Sequence, residues 1–254
     1  MHLVRETPTA GEAGVRGASP AGATDPQSAA RAVREMFNAI APRYDLLNHL
    51  LSANIDKLWW RRTARAFTPI LSRPNARVLD LCCGTGDMAF ALHRQGPETS
   101  IIGADFSHAM LQLAYAKGGN NAPKWIEADA LQLPFPDHSF DLVTSAFGFR
   151  NLADYDAGLR EIWRVLKPDG EFGILEFSEP KGILGKLYKF YFRQVLPRIG
   201  MLISRTSAYS YLPASVERFP TPPELLARMQ AVGFRNVSWT PYTFGIAGLY
   251  RGIR

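Results

Sequence analysis

Apolar and polar positions alternate in short blocks along this chain, and from residue 77 the blocks repeat in one order. The apolar run at 77–81 reads as a strand and ends in a tight turn, Cys82-Cys83-Gly84-Thr85-Gly86. Met88, Ala89, Phe90, Ala91 and Leu92 then open a helical pattern over 87–95. A second strand at 100–104 ends at Asp105, and Ser107 caps the next helix, with Met110, Leu111 and Ala114 inward. Further strands are predicted at 124–128, 140–145 and 170–177, with a helix over 154–166 stopped by Pro168. A helix from Pro222-Pro223-Glu224 to Gly233 precedes two late strands, near 237–241 and 243–250. Strand-helix alternation of this kind implies an α/β fold, with a mostly parallel sheet of seven strands covered by helices on both faces. Ligands of such sheets sit outside the carboxyl ends of the strands, at the switch in strand order.

Upstream the pattern changes. Residues 1–26 are rich in Gly, Ala, Pro, Thr and Ser without an apolar period, and read as a disordered tail. Asp25 can cap a helix with Pro26 at its first position, and Val33, Met36, Phe37 and Ile40 fall on one stripe. Pro42 is expected to break that helix. Residues 37–62 interleave hydrogen-bonding tips (Asn38, Arg43, Tyr44, Asp45, Asn48, His49) with apolar positions. They read as amphipathic helices packed on the main domain or as a lid lining a substrate pocket. The division that follows is a tail at 1–26, a helical lid at 27–70, and a main domain at 71–254 with a lid-like insertion at about 181–215.

Composition narrows the class. The 254 residues are 46% hydrophobic, which suits one substantial core. A net charge of +6 and a pI near 9.4 are compatible with anionic partners. No long run of like charge, zinc spacing or RNA-binding signature supports a nucleic-acid partner. The adjacent Cys82 and Cys83 are expected to be reduced thiols filling space beside the turn, in a cytoplasmic protein. Neither a signal peptide nor an apolar stretch of the about 20 residues a membrane span needs is apparent, and no metal site is expected.

Candidate chemistry gathers at the strand ends. Gly84, Gly86 and Ala89 fit the spacing of a nucleotide-binding turn, in which glycine admits close backbone approach and exposed N–H groups face the ligand. Asp80, just before the turn, can order the loop or accept from a ligand amine. Asp105, about 20 residues past the turn, is placed to take ribose hydroxyls. Asp129 could receive the exocyclic amine of adenine, with Phe106, Met110 and Ala130 around the ring. These acids leave a nicotinamide cofactor and S-adenosylmethionine both open.

Two later stretches bear on that choice. Residues 131–143, Leu-Gln-Leu-Pro-Phe-Pro-Asp-His-Ser-Phe-Asp-Leu-Val, and 164–171, Arg-Val-Leu-Lys-Pro-Asp-Gly-Glu, resemble the approaches to strands four and five of class I methyltransferases. From about residue 35 the chain resembles the ubiquinone/menaquinone biosynthesis C-methyltransferases. The resemblance is carried by Tyr44-Asp45-Leu46-Leu47-Asn48, Phe147-Gly148-Phe149-Arg150-Asn151, Leu175-Glu176-Phe177-Ser178, Arg198-Ile199-Gly200 and the stretch from Tyr209 to Phe219. It departs where Cys82 replaces the first glycine of the turn, and where Ala146 stands in place of a cofactor-contacting serine. The nearest serine, Ser145, is one residue earlier and so on the other face of a strand.

The resemblance implies a Rossmann-like class I methyltransferase fold with an N-terminal helical extension. It implies methyl transfer from S-adenosylmethionine to a ring carbon of a polyprenyl quinol, either demethylmenaquinol or 2-methoxy-6-polyprenyl-1,4-benzoquinol, or both. Cofactor contacts are expected from Asp80, Gly84, Thr85, Gly86, Asp105, Phe106, Asp129, Ala130 and Ser145. Thr85 and Gly86 are expected nearest the methionine end. Arg150 is expected to stabilise the quinolate, with Asn151 orienting a hydroxyl or water, Tyr44 beside them, and Asp45 or a water accepting the proton. A structural pairing of Arg150 with an acid is the competing expectation. Residues 183–203, apolar and aromatic with Lys186, Lys189, Arg193 and Arg198 (and Lys181 just before), suit a lid over the tail, peripheral contact with the inner face of a membrane, or a homodimer surface. A dehydrogenase and a non-catalytic methyltransferase-like partner are the alternative classes.

Overall fold

The computed structural model describes residues 17–18, 20, 22–51, 54–119, 123–178, 180 and 208–254. Three N-terminal helices, α1 (Pro26–Leu51), α2 (Ile55–Ala66) and α3 (Thr68–Leu71), precede the sheet. The alternating part runs β1 (Arg77–Leu81), α4 (Asp87–Gln95), β2 (Ser100–Asp105), α5 (His108–Gly118), β3 (Lys124–Glu127), β4 (Phe140–Ala146), α6 (Tyr155–Val165) and β5 (Leu166–Phe177). The described chain ends with α7 (Ala208–Arg218), α8 (Pro222–Val232), β6 (Arg235–Tyr242) and β7 (Ala247–Ile253).

Seven strands form one sheet in the order β3-β2-β1-β4-β5-β7-β6, and β7 alone runs antiparallel to its neighbours. The order reverses between β1 and β4, which opens a crevice above their carboxyl ends. Side-chain alternation sorts β1 between two cores. Leu79 and Leu81 pack with Phe172, Ile174, Leu159 and Met229 beneath α6 and α8. Val78 packs with Trp60, Ile70, Met88 and Leu92 beneath α2, α3 and α4. Apolar side chains of α1 form a separate cluster, with Ile40 and Ala41 closing on Met110 of α5.

Several elements differ from their sequence reading. Helix α1 continues through Pro42. A proline there removes one bond, to the carbonyl of Asn38, and Asn38 is exposed, where water can satisfy it. Burial of Val33, Ile40 and Ala41 outweighs that loss. Strand β5 starts at Leu166 and contains Pro168, because the register shifts between Phe140 and Leu142 and Asp169 turns left-handed at φ 59. Proline is tolerated at such an irregularity, where no ladder donor is required. Thr243–Gly245 is a 3-10 turn, so β7 starts at Ala247.

The helix start at Pro26 is held as expected: Asp25 Oδ1 accepts from the N–H of Ser28 at 2.8 Å. Residues 17 and 18 fall within the stretch read as tail, yet Gly17 is buried and Ala18 N–H donates to Leu152 O at 2.7 Å. A Cβ on Gly17 would sit 2.1 Å from the Ala153 carbonyl oxygen, an approach that composition alone does not signal. The insertion near 181–215 lies outside the described residues up to 207, and Lys181, Lys186, Lys189, Arg193 and Arg198 with it. No helix among the described residues is long and apolar enough to cross a membrane.

Candidate active site

A cavity of about 540 Å³ opens at the switch point, walled by the β1 turn, the ends of β2 and β4, and helices α1, α2 and α7. Its size suits a small-molecule site. Tyr44, Asp80, Gly84, Thr85, Asp105, Phe106, Asp129, Ala130, Arg150 and Asn151 all line it, so ten residues chosen from sequence converge on one space.

The turn after β1 is shaped for close approach. Gly84 has φ 54 and its missing Cβ points into open space. Gly86, at φ 88, does not line the cavity; a Cβ there would meet the Trp125 ring at 2.5 Å. Gly86 is therefore a packing and conformational requirement of the turn. Cys82, in place of a glycine, is also left-handed at φ 54, and a Cβ on Gly148 would lie 2.4 Å from its own. That position is thus held in a conformation any non-glycine residue adopts at a cost. Both cysteines are free thiols, and burial pushes them well above the usual thiol range.

Asp80 is fully buried. Its Oδ1 accepts from Thr144 Oγ1 at 2.8 Å, while Oδ2 has no hydrogen-bond partner. Burial raises its carboxyl to about 7. Asp80 itself lines the cavity, so its unpaired oxygen could accept from a cationic donor there. Asp105 is buried as well, and burial raises it to about 6, against the N–H bonds it accepts. Gly84 N–H donates to its Oδ2 at 2.8 Å and Ser107 N–H to its Oδ1 at 2.9 Å. The residue read as a ribose acceptor therefore also ties the glycine turn to the start of α5. Asp129 is exposed, and its Oδ1 accepts from Leu131 N–H at 2.9 Å. Arg34 of α1 lies over the Phe106 ring at 5.3 Å and Lys117 Nζ donates to Thr85 Oγ1 at 2.9 Å, two supports not read from sequence.

Ser145 is buried and outside the lining, its Oγ without a partner, whereas Ala146 lines the cavity. The one-residue step on β4 puts Ser145 and Ala146 on opposite faces of the strand.

Arg150 is buried and lines the cavity, and it pairs with fully buried Glu176. Nη1 lies 3.2 Å from both carboxylate oxygens, Nε donates to Ser215 Oγ at 3.3 Å, and Nη1 also meets Phe147 O. Glu176 accepts further from the N–H groups of Arg150 at 3.2 Å and Phe177 at 3.0 Å. Burial opposes the charge on Arg150 most strongly, and the Glu176 carboxylate, through charge and hydrogen bond, together with Tyr44 and Tyr211 outweighs it and holds the guanidinium above arginine's ordinary value. Arg150 is thus paired with an acid, the competing expectation, and it also faces the cavity.

Tyr211 of α7, within the resembling stretch but given no role, lines the cavity and donates to Asn151 Oδ1 at 3.1 Å. Tyr44 is half-buried and edge-on to Phe37, with ring centroids 6.0 Å apart. Trp59, Phe147 and Phe177 form an aromatic wall, and Asp56, buried, adds a carboxylate that sequence reasoning missed. The side chains of Asp45 and His49 lie outside the described residues.

Comparison with known proteins follows the same lines. The model of the ubiE/COQ5 methyltransferase family matches residues 24–254. The demethylmenaquinone methyltransferase of Deinococcus radiodurans is 50% identical over 232 residues, covering 90% of this chain and 95% of that protein. That of Thermus thermophilus is 50% identical over 223 residues, covering 86% of this chain and all of its own. A ubiquinone/menaquinone biosynthesis C-methyltransferase of Geotalea daltonii is 46% identical, covering 87% and 95%. Among solved structures, an S-adenosylmethionine-dependent methyltransferase of Thermotoga maritima aligns with a TM-score of 0.61 at 19% identity. It covers 86% of this chain and 98% of that one, a likeness of fold.

Proposed function

The chain belongs to the ubiE/COQ5 methyltransferase family, and on that premise we propose that it transfers a methyl group from S-adenosylmethionine to a ring carbon of demethylmenaquinol. The observation that carries this reading is one cavity holding both the orphaned Asp80 oxygen beside the open Gly84 turn and the paired Arg150 beside Asn151 and Tyr44. The naphthoquinol is favoured because relatives at 50% identity over nearly their whole length bear that activity in their names.

The residues present fit the cofactor. Asp80 Oδ2 would take its ammonium group, the Gly84-Thr85 turn its methionine backbone, and Asp105 its ribose hydroxyls. Phe106, Asp129, Met110 and Ala130 would hold the adenine. When bound, S-adenosylmethionine supplies an electrophilic methyl group with a good leaving group behind it. The protein's part is placement, charge and exclusion of water. Trp59, Phe147 and Phe177 form an apolar wall that desolvates the ring. Asn151, its carbonyl oxygen already held by Tyr211, offers its amide N–H to a quinol oxygen. Arg150 stays charged and is a poor base, so its role is to stabilise the quinolate oxygen that develops as the ring carbon becomes nucleophilic. Tyr44 packs beside it, and the hydroxyl proton leaves to water or to Asp45.

Labelled S-adenosylmethionine offered with demethylmenaquinol and, separately, with 2-methoxy-6-polyprenyl-1,4-benzoquinol tests the proposal. Label should enter the naphthoquinol; transfer to neither quinol would end the reading, and transfer only to the benzoquinol would redirect it.

The buried acids add a pH signature. Both carboxyls are raised above the usual aspartate range, to about 7 and about 6, so the empty folded protein binds these protons more tightly than the unfolded chain. Stability of the empty protein should therefore fall as pH rises from about 4 to about 7. Cofactor binding needs the ionised forms, so affinity should move the opposite way. The Kd is expected to rise by about tenfold from pH 7.5 to pH 6. Calorimetry in buffers of different ionisation enthalpy should register proton release, and Asp80→Asn should flatten the profile. An affinity that does not change over this range would remove Asp80 from the cofactor site.

A further inference from the structure

Two described segments rim the cavity next to its aromatic wall. Helix α2 sends Asp56, Trp59, Trp60, Thr63 and Ala64 inward and leaves Ile55, Lys57, Leu58, Arg61, Arg62 and Arg65 exposed. Leu58 is 50% exposed and Ile55, which also lines the cavity, 38%. Beside it the turn Thr243–Gly245 holds Phe244 at 81% exposure, between Thr243 and Ile246, both in the cavity wall.

The turn is fixed in that posture. Thr243 and Phe244 are both left-handed, at φ 45 and φ 58, a costly state for non-glycine residues. Trp59 Nε1 donates to Thr243 Oγ1 at 2.8 Å, and Ser178 Oγ donates to Gly245 O at 2.6 Å, anchoring the turn to α2 and to the end of β5. Strained backbone thus holds a large apolar side chain in water, on a turn bonded to the helix that exposes two more. The exposed charge of α2 has one sign: Lys57, Arg61, Arg62 and Arg65 are exposed, and the only acid of the helix, Asp56, is buried. Apolar side chains flanked by cations are the composition of a surface that lies on anionic lipid.

We propose that Ile55, Leu58 and Phe244, flanked by Lys57, Arg61 and Arg65, seat the mouth of the cavity on an anionic bilayer. The quinol head would enter between α2 and the 243–246 turn while its isoprenoid tail stays in lipid. The inference rests on the reading of the substrate as a polyprenyl quinol. It places the docking surface on α2 and this turn.

Vesicle flotation tests it, using the full chain with phosphatidylglycerol/phosphatidylcholine vesicles and with phosphatidylcholine alone, at low and high salt. Wild type should float with the anionic vesicles at low salt and be released by high salt. Leu58→Ser with Phe244→Ser should weaken binding about tenfold or more, and Arg61→Glu with Arg65→Glu should do the same by charge alone. Neither pair lines the cavity, so both should methylate a tail-less 1,4-naphthoquinol at the wild-type rate while losing activity on long-tailed quinol in vesicles. If the serine pair fails to fold, the exposed arginine pair decides the question. Absence of wild-type flotation at low salt, or variants that float like wild type, would overturn the proposal. Failure of wild type on the tail-less quinol would count against the methyl-transfer reading and leave the flotation result to stand by itself.

Discussion

Replacing Arg150 with alanine is expected to slow methyl transfer by about 10²–10³-fold at saturating cofactor, the cost of losing one preorganised donor to a developing anion. It should also destabilise the fold by about 3–5 kcal/mol, because fully buried Glu176 would be left as an uncompensated charge. The two effects can be separated. Glu176→Gln keeps the shape of the side chain while removing its charge; its one amide oxygen can keep only one of the two backbone N–H bonds, from Arg150 or Phe177, and the guanidinium in the cavity wall is left less firmly placed. Stability should fall and kcat should drop less than in Arg150→Ala, with little change in KM for the cofactor. Removing both partners should destabilise less than the sum of the single changes, since neither charge is then stranded. Denaturant unfolding gives the stability cycle, and turnover with labelled cofactor gives the rates. Wild-type turnover by Arg150→Ala would leave the pair with a structural role only.

That pair also marks how far the chain could be read without coordinates. The bounds of β1 and α4 follow from an apolar run that stops at a glycine turn and resumes at helical spacing, and both fall where the pattern places them. The strand-end acids were legible for the same reason, since strand ends define one edge of the sheet. Glu176 sits within a stretch whose likeness to the family is plain, yet its role arises only when β5 lies beside β4 and brings it to Arg150, 26 residues away in sequence. Long-range pairing has no local signature. Nor does the close approach of Trp125 to Gly86 or of Ala153 to Gly17, each a matter of tertiary packing against a position without a Cβ. Pro42 is the opposite case. The local rule is correct about the lost hydrogen bond, but the burial of α1 on α5 overrides it. Ser145 and Ala146 show that one step along a strand reverses the face a side chain occupies, and it is Ala146 that lines the cavity.

Asp105 combines the two kinds of information, and its replacement should have the second large effect. Its oxygens accept N–H bonds from Gly84 and Ser107, tying the glycine turn to the N-terminus of α5. Hydrogen bonds to a charged group contribute about 1.5–3 kcal/mol each, and the donors left behind by alanine would be buried or half-buried. Asp105→Ala should therefore destabilise by about 3–5 kcal/mol, and cofactor Kd should rise by about 100-fold as turn geometry and ribose acceptors are lost together. Asp105→Asn separates the contributions. An amide can accept through one oxygen only, so it can keep one of the two backbone bonds and must turn an NH₂ toward the other. If Asp105 acts mainly as the brace of the turn, Asn should recover little of either loss. If it acts mainly through the ribose, Asn should recover most of the stability while the cofactor Kd stays high, because the amide offers one acceptor where the ribose would meet two. Thermal melts with and without S-adenosylmethionine read both quantities from the same samples. A cofactor-induced shift equal to that of wild type in Asp105→Ala would place the ribose elsewhere and leave the glycine turn braced by other means.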